Sequence, residues 1–280
     1  MDAKSFFEHR RIASSDFQQL SGGDINQVYR VKDSVYKINS KDDFPLMFEK
    51  EAEGLKALSN GIRTPAVRDY GVFQDMQFLE IEHVEGGLKT NAFWRSFGES
   101  LAHLHSIKND LFGFESSNYI GSLRQSNNHK DSWSDFLIEE RLQPMIEMAV
   151  NSGEVNYVEA RVLEDFYSKI EEIYPQEKPT LIHGDLWGGN YICSENEEAV
   201  LIDPAVYYGH REMDIGMMHL FGGFDSRLFD AYNEILPLEK GWKNRLPVNQ
   251  LYPLLVHVNL FGRSYWGQVK RILEQFRQTH

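Results

Sequence analysis

The sequence predicts an α+β fold in two lobes, a small β-rich lobe over residues 1–83 and a larger, mainly helical lobe over residues 84–280. Three observations lead there. Apolar residues alternate with polar ones through the first part and recur at helical spacing after Gly86-Gly87. A chain of 280 residues is long for one small core and comfortable for two. Two short apolar runs, in LIHGDLWGGNYI (181–192) and AVLIDPAVYYGHRE (199–212), carry His183, Asp185, Asn190 and Asp203 at their ends, where strands would stop and active sites are commonly built.

The elements follow in order. QVYRV and SVYKI read as strands around a turn at Lys32-Asp33-Ser34, preceded by the glycines of FQQLSGGDIN. PLMFEKEAEGLKALSN opens on proline and spaces Leu46, Phe48, Ala52, Leu55 and Leu58 as a helix, with Asn60-Gly61 as its C-cap signal. AVRDYGVF and MQFLEIEHV read as two further strands, so the first lobe should be a five-stranded antiparallel sheet, and the crossing at Glu80–Glu85 is the hinge. NAFWRSFGESLAHLHSI, SWSDFLIEERLQPMIEMAV and VEARVLEDFYSKIEEIY read as amphipathic helices. The two short strand runs interrupt them, and the tail returns to helices with a break near Gly262.

Composition narrows the function classes. A formal net charge of -13 opposes nucleic-acid binding and anionic membranes alike. The single cysteine, Cys193, cannot close an internal disulfide or build a cysteine zinc cluster, which fits a reducing compartment. MDAKSFFEHRRIASSDF lacks the apolar core and cleavage pattern of a leader, and no run approaches the ~20 apolar residues of a membrane span. A cytoplasmic location is the expectation.

Two carboxylates and an amide oxygen, Asp185, Asn190 and Asp203, are hard donors suited to Mg²⁺ rather than zinc. If the two short runs form a hairpin, Asn190 and Asp203 meet at its open end, and Asp185 on the loop is free to accept a proton. Phosphoryl transfer needs that division of labour. Against it, Asp and Asn are common turn residues beside glycines such as Gly184, Gly188 and Gly189. Lys37 sits inside a strand among Val35, Tyr36 and Ile38; it is either a solvated surface charge or the partner of Glu51 on the next helix, an arrangement that delivers an ammonium to phosphates. Gly22-Gly23 is either a hairpin turn or a backbone cover for phosphates. His103 and His105 are read as packed or capping residues, Cys193 and Met217-Met218 as core, and Lys240, Lys243 and Arg245 as a solvated basic face.

HGDLWGGN followed by IDPAVYYGHREMDIGMMHLFGGF closely resembles the fructosamine kinases, or ketosamine kinases, of the aminoglycoside phosphotransferase-like, protein-kinase-like group. SGGDINQVYRV, MFEKEAEGLKAL, FGFESSNYIGSLRQSN, WSDFLIEERLQPMI and LYPLLVHVNLFGRSYW extend the likeness over most of the chain. HGD alone is shared by many phosphotransferases; DPAVYYGHRE is more specific. The resemblance implies a bilobal kinase-like fold, ATP and Mg²⁺ as cofactors, Asp185 as catalytic base, Asn190 and Asp203 as metal ligands, and Lys37 on the nucleotide phosphates. It further implies adenine against the backbone near Glu80, Glu82 and His83, Asp214 and His183 shaping the catalytic loop, and Trp187, Tyr207, His210 and Arg211 as sugar-site walls. The implied acceptor is a small-molecule or protein-bound ketosamine, phosphorylated on its 3-hydroxyl and thereby deglycated. The rivals are another acceptor (aminoglycoside, choline-like alcohol or sugar) and a catalytically silent binding module.

Overall fold

A computed structural model describes residues 3–20 and 25–278. The chain opens on a helix that the alternation of its first segment does not announce, α1 (Ala3–His9). The strands β1 (Phe17–Gln19), β2 (Gln27–Val31) and β3 (Ser34–Ser40) follow. Then come α2 (Met47–Leu58), β4 (Val67–Phe73) and β5 (Met76–Glu82). The strands make one antiparallel sheet in the order β1-β2-β3-β5-β4, the five-stranded sheet expected. Alternation gives β3 two different faces. Tyr36 and Ile38 turn toward Phe6 and Phe7 of α1, while α2 packs Phe48, Ala52 and Leu55 against Leu79 and Ile81. So α1 is there because a sheet with apolar residues on both faces needs two covers.

The end of α2 differs from the C-cap predicted at Asn60-Gly61. The helix stops at Leu58, with Ser59 as a right-handed cap. Gly61 serves close approach instead, since a Cβ there would stand 2.6 Å from Leu104 Cα.

Beyond the sheet, α3 (Asn91–Leu104) starts on the Thr90 side chain, which accepts from Phe93 N. A hairpin, β6 (Asn118–Ile120) and β7 (Leu123–Gln125), reaches back toward the sheet. The helix expected through SWSDFLIEERLQPMIEMAV is present but not uniform. It runs as α4 (Trp133–Phe136), a π-helical stretch over Leu137–Leu142, and α5 (Gln143–Asn151). α6 (Tyr157–Tyr167) carries a complete capping box from Asn156 and Glu159, and α7 (Ile170–Ile173) follows.

Four short strands then build the floor of the cleft. β8 (Thr180–Ile182) pairs with β11 (Tyr207–Gly209), and β9 (Tyr191–Cys193) with β10 (Ala199–Leu201). The chain closes with α8 (Glu212–Phe221), α9 (Ser226–Ile235), α10 (Trp242–Asn249), α11 (Leu251–Phe261), a 3₁₀ turn Arg263–Tyr265 and α12 (Trp266–Gln278). The break near Gly262 is as predicted. Among the described residues, no helix is long and apolar enough to cross a membrane.

Candidate active site

Lys37 is on the face of β3 that looks at α2, and it is 7% exposed. A buried ammonium is costly without partners. Its Nζ lies 2.6 Å from Glu51 Oε1 and also bonds Asp203 Oδ1. Burial alone would lower the Lys37 pKa; the carboxylates of Asp203 and Glu51 outweigh it and hold the ammonium protonated. The solvated-surface alternative for Lys37 is therefore excluded. The sheet, α2 and the short-strand floor meet on one amine.

The loop after β8 is fixed from below. Asp214, in the first turn of α8, accepts His183 N at 2.8 Å and Gly184 N at 2.9 Å, one amide on each oxygen. His105 Nε2 lies 3.3 Å from the same carboxylate and His105 Nδ1 is 2.9 Å from Tyr232 Oη. Burial would raise the Asp214 pKa, but His105 and the His183 contacts pull it below its ordinary value. Gly184 has φ +82°, and a Cβ would fall 2.1 Å from Ala205 O, so only glycine turns the chain here. His183 Nε2 donates to Ile202 O at 2.9 Å, so its Nδ1 is the acceptor for Asp185 N at 3.2 Å. Burial lowers the His183 pKa, which keeps this neutral tautomer.

Asp185 thus enters the cleft on a braced loop. Asn190, just before β9, donates its amide to Asp185 O at 2.8 Å and to Asp185 Oδ2 at 2.9 Å. Its own Oδ1 is left as an acceptor. Asn190 O accepts Ile202 N at 3.0 Å, so the hairpin register delivers Asp203 beside Asn190, as the spacing predicted. Asp203 has φ +54°, a conformation rare outside glycine, Asn and Asp. These groups border one cavity of about 220 Å³, also lined by Asn118, Tyr119 and Gly121 of the β6–β7 hairpin, and by Trp187 and Pro204.

Residues 4–279 match the sequence model of the Fructosamine kinase family. The chain belongs to the fructosamine kinase family. A probable ketoamine kinase of Enterococcus faecium is 41% identical over 263 residues, covering 91% of this chain and 93% of its own. The structure described as "putative fructosamine-3-kinase" from Thermobifida fusca is 33% identical, with TM-score 0.83 over 92% of each chain. An ADP-bound aminoglycoside phosphotransferase, 17% identical with TM-score 0.67 over 98% of this chain and 97% of its own, shares the fold. This member of the fructosamine kinase family is an ATP-dependent phosphotransferase with an α+β, kinase-like fold.

Within that family member, the predicted sugar-site walls divide. Trp187 lines the cavity, 42% exposed, with its indole laid over Gly189. Tyr207, His210 and Arg211 do not line it; all three are buried in the helical part. The reason is register. Tyr207 pairs with Ile182 on β11 and points down, its ring 4.0 Å from the Arg141 guanidinium carbon. Arg211 makes a two-pronged pair with Glu177, at 2.9 Å on each oxygen, and bonds Leu236 O and Pro237 O. His210 sits among Trp133 and Tyr174, its pKa pushed down to about 4 by burial. Arg245 is also corrected, from solvated face to buried partner of Glu212, with Nε 2.8 Å and Nη2 2.5 Å from its two oxygens.

Gly22 and Gly23 lie outside the described residues. The side chains of Glu80 and Glu82 are engaged with Arg10 and Arg63, and the amides of Glu82 and His83 bond Ala66 O and Asp33 O. None of the three borders the cavity around Lys37. Sequence reasoning missed the hairpin residues Asn118, Tyr119 and Gly121. NYIGSLRQ, with alternating polarity around a glycine, was the available signal.

The donor set suits Mg²⁺ held jointly with nucleotide phosphates. Among the described residues no three His, Cys, Asp or Glu side chains cluster as a metal cage. Mg²⁺ characteristically takes one or two protein ligands and completes its shell with phosphate and water. Burial raises the Asp185 pKa well above the ordinary carboxylate value; Asn190 opposes this, and the charges of Asp203 and Asp214 add to it. A cation held between Asn190 and Asp203 would oppose that shift and favour the ionised form of Asp185.

Proposed function

We propose that the enzyme transfers the γ-phosphoryl group of ATP to a sugar hydroxyl of a ketosamine, the 3-hydroxyl, giving a product that eliminates phosphate and frees its amine. The acceptor amine is a small molecule or a protein lysine. One observation carries this reading: Asp185 and the Lys37–Glu51 pair border a single cavity together with Asn190 and Asp203. Asn190 Oδ1 and the Asp203 carboxylate would hold Mg²⁺, which screens the phosphate charge as it develops. Lys37 would pass from Asp203 to the phosphates. Asp185 accepts the hydroxyl proton as the sugar oxygen bonds to phosphorus and the bridging oxygen leaves with ADP. Asp214 and His183 hold Asp185 in place, and Trp187 offers a flat face to the sugar. Adenine would lie where β5 leaves the sheet, and residues 1–83 and 84–280 would close as two lobes about that point.

The test is an acceptor panel with ATP and Mg²⁺, comparing ribulosamines, erythrulosamines, fructosamines and aminoglycosides. Ketosamines should be phosphorylated far faster than aminoglycosides, with phosphorus on the 3-oxygen by NMR. Aminoglycosides outcompeting every ketosamine would overturn the acceptor and leave the phosphotransferase chemistry standing.

A further inference from the structure

The helical side of the cavity mouth carries aromatic rings that the proposed chemistry does not use. Gly188, beside Trp187, packs on the turn after α8, where a Cβ would stand 3.4 Å from Gly222 O. Gly121, in the hairpin wall opposite, packs on α11, where a Cβ would stand 3.0 Å from Leu260 Cδ1. Both walls therefore run directly into the C-terminal ends of α8 and α11. There the ring centroids of Phe221 and His257 are 4.8 Å apart, and those of His257 and Phe261 are 5.2 Å apart. Phe221 is 41% and Phe261 55% exposed, which is unusual for phenylalanines held in an ordered cluster beside a site.

His257 adds a polar atom of defined character. Its Nδ1 lies 2.8 Å from Pro253 O, and a carbonyl can only accept, so Nδ1 carries the proton. Nε2 is then a lone-pair acceptor, bonded to no other described residue. Burial lowers the pKa, so the ring stays neutral near pH 7. The cation adjoining the cluster in sequence, Arg263, is turned away and bonded to Glu154 and Glu159. Aromatic faces and a bare imidazole nitrogen, free of competing positive charge, suit a protonated amine.

We propose that Phe221, His257 and Phe261 form the subsite for the amine-bearing half of the acceptor. The ring faces take the protonated secondary amine of the ketosamine, and His257 Nε2 accepts one of its N–H bonds. This rests on the ketosamine reading above. The amine lies two carbons from the carbon bearing the reacting hydroxyl, so an acceptor with that hydroxyl at Asp185 extends its amine toward the mouth. The subsite would let the enzyme select a ketosamine over the parent ketose by its charge.

The test compares a ketosamine with its ether analogue, oxygen in place of the amine nitrogen, on wild type, Phe261→Ala and His257→Phe. Each substitution should raise KM for the ketosamine about tenfold, the loss of one cation–π or charged hydrogen-bond contact. kcat, KM for ATP and KM for the ether should stay within about twofold, since the amine contact is made equally in the ground and transition states and the ether lacks it. His257→Phe preserves the ring packing, so it remains informative if Phe261→Ala melts. Equal KM increases for amine and ether, or no increase for either, would overturn the subsite while the kinase reading stands. A wild-type enzyme that phosphorylates no ketosamine would overturn that reading and the subsite with it.

Discussion

Two sets of buried charges occupy this molecule, and they are finished to different degrees. In the helical part, Glu212 meets Arg245 through both oxygens, and Arg245 also bonds the Lys240 and Glu239 carbonyls. Glu177 and Arg211 are matched in the same way. In the cleft, Lys37 is shared between Glu51 and an Asp203 that is 48% exposed on its side chain, and among the described residues the Asp185 carboxylate holds one side-chain hydrogen bond, from Asn190. Burial of charge therefore does not mark the active site. Incomplete pairing of those charges beside the Lys37 cavity does, because ligand atoms can supply what the protein leaves out.

The largest effect that tests this contrast is on turnover. Asp185→Asn should lower kcat by roughly 10²–10⁴, the range for losing a general base, while Mg²⁺·ATP titrated by calorimetry binds nearly as before. Asp203→Asn should lower nucleotide affinity and turnover together, since it removes a phosphate-bridging metal ligand and a Lys37 partner. Equal losses of Mg²⁺·ATP affinity in both variants would mean that the two aspartates have been given each other's roles.

On the finished side, Arg245→Met leaves Glu212 buried without its partner. The expected cost is about 3–5 kcal/mol of stability, read by urea unfolding. The activity of the fraction that remains folded should be unchanged. A loss of kcat at full folding would connect this pair to the cleft and erase the distinction.

How far the sequence could separate the two sets is instructive. Lys37, Glu51, Asp185, Asn190 and Asp203 were legible because strand ends and helix spacing place them, and the hairpin register then brings them together. Tyr207, His210 and Arg211 were misplaced, since a position close to Asp203 in sequence says nothing about which way β11 points. Arg245 looked solvated because its partner lies on another helix, 33 residues away. α1 escaped notice for a related reason: seven residues give too little periodicity, and its burial depends on a sheet that forms later in the chain. Local pattern reveals what neighbours in sequence decide; pairing across elements needs the fold.

The smallest predicted effect concerns the two aspartates on opposite sides of one loop. Asp214 has its pKa lowered, so it stabilises the fold above the ordinary carboxylate value of 3.8 and that contribution is lost as pH falls through the folded value. Asp185 has its pKa raised, so the native state binds the proton more tightly than the unfolded chain. Its contribution is fully present below 3.8 and is lost as pH rises through the higher folded value. At neutral pH without nucleotide, an ionised Asp185 is therefore a cost to folding. Asp185→Asn should stabilise the protein there by on the order of 1 kcal/mol, after allowing for screening in the open cavity, or about 2–4 °C in Tm. The Asn190 amide can still donate to the new side chain, so no bond is lost. The gain should shrink toward zero as pH approaches 4, where both forms are uncharged. Thermal melts of both proteins from pH 4 to pH 8 check this; a Tm difference independent of pH would show that Asp185 is as well satisfied as Asp214, and the contrast between the two sides of the loop would fail.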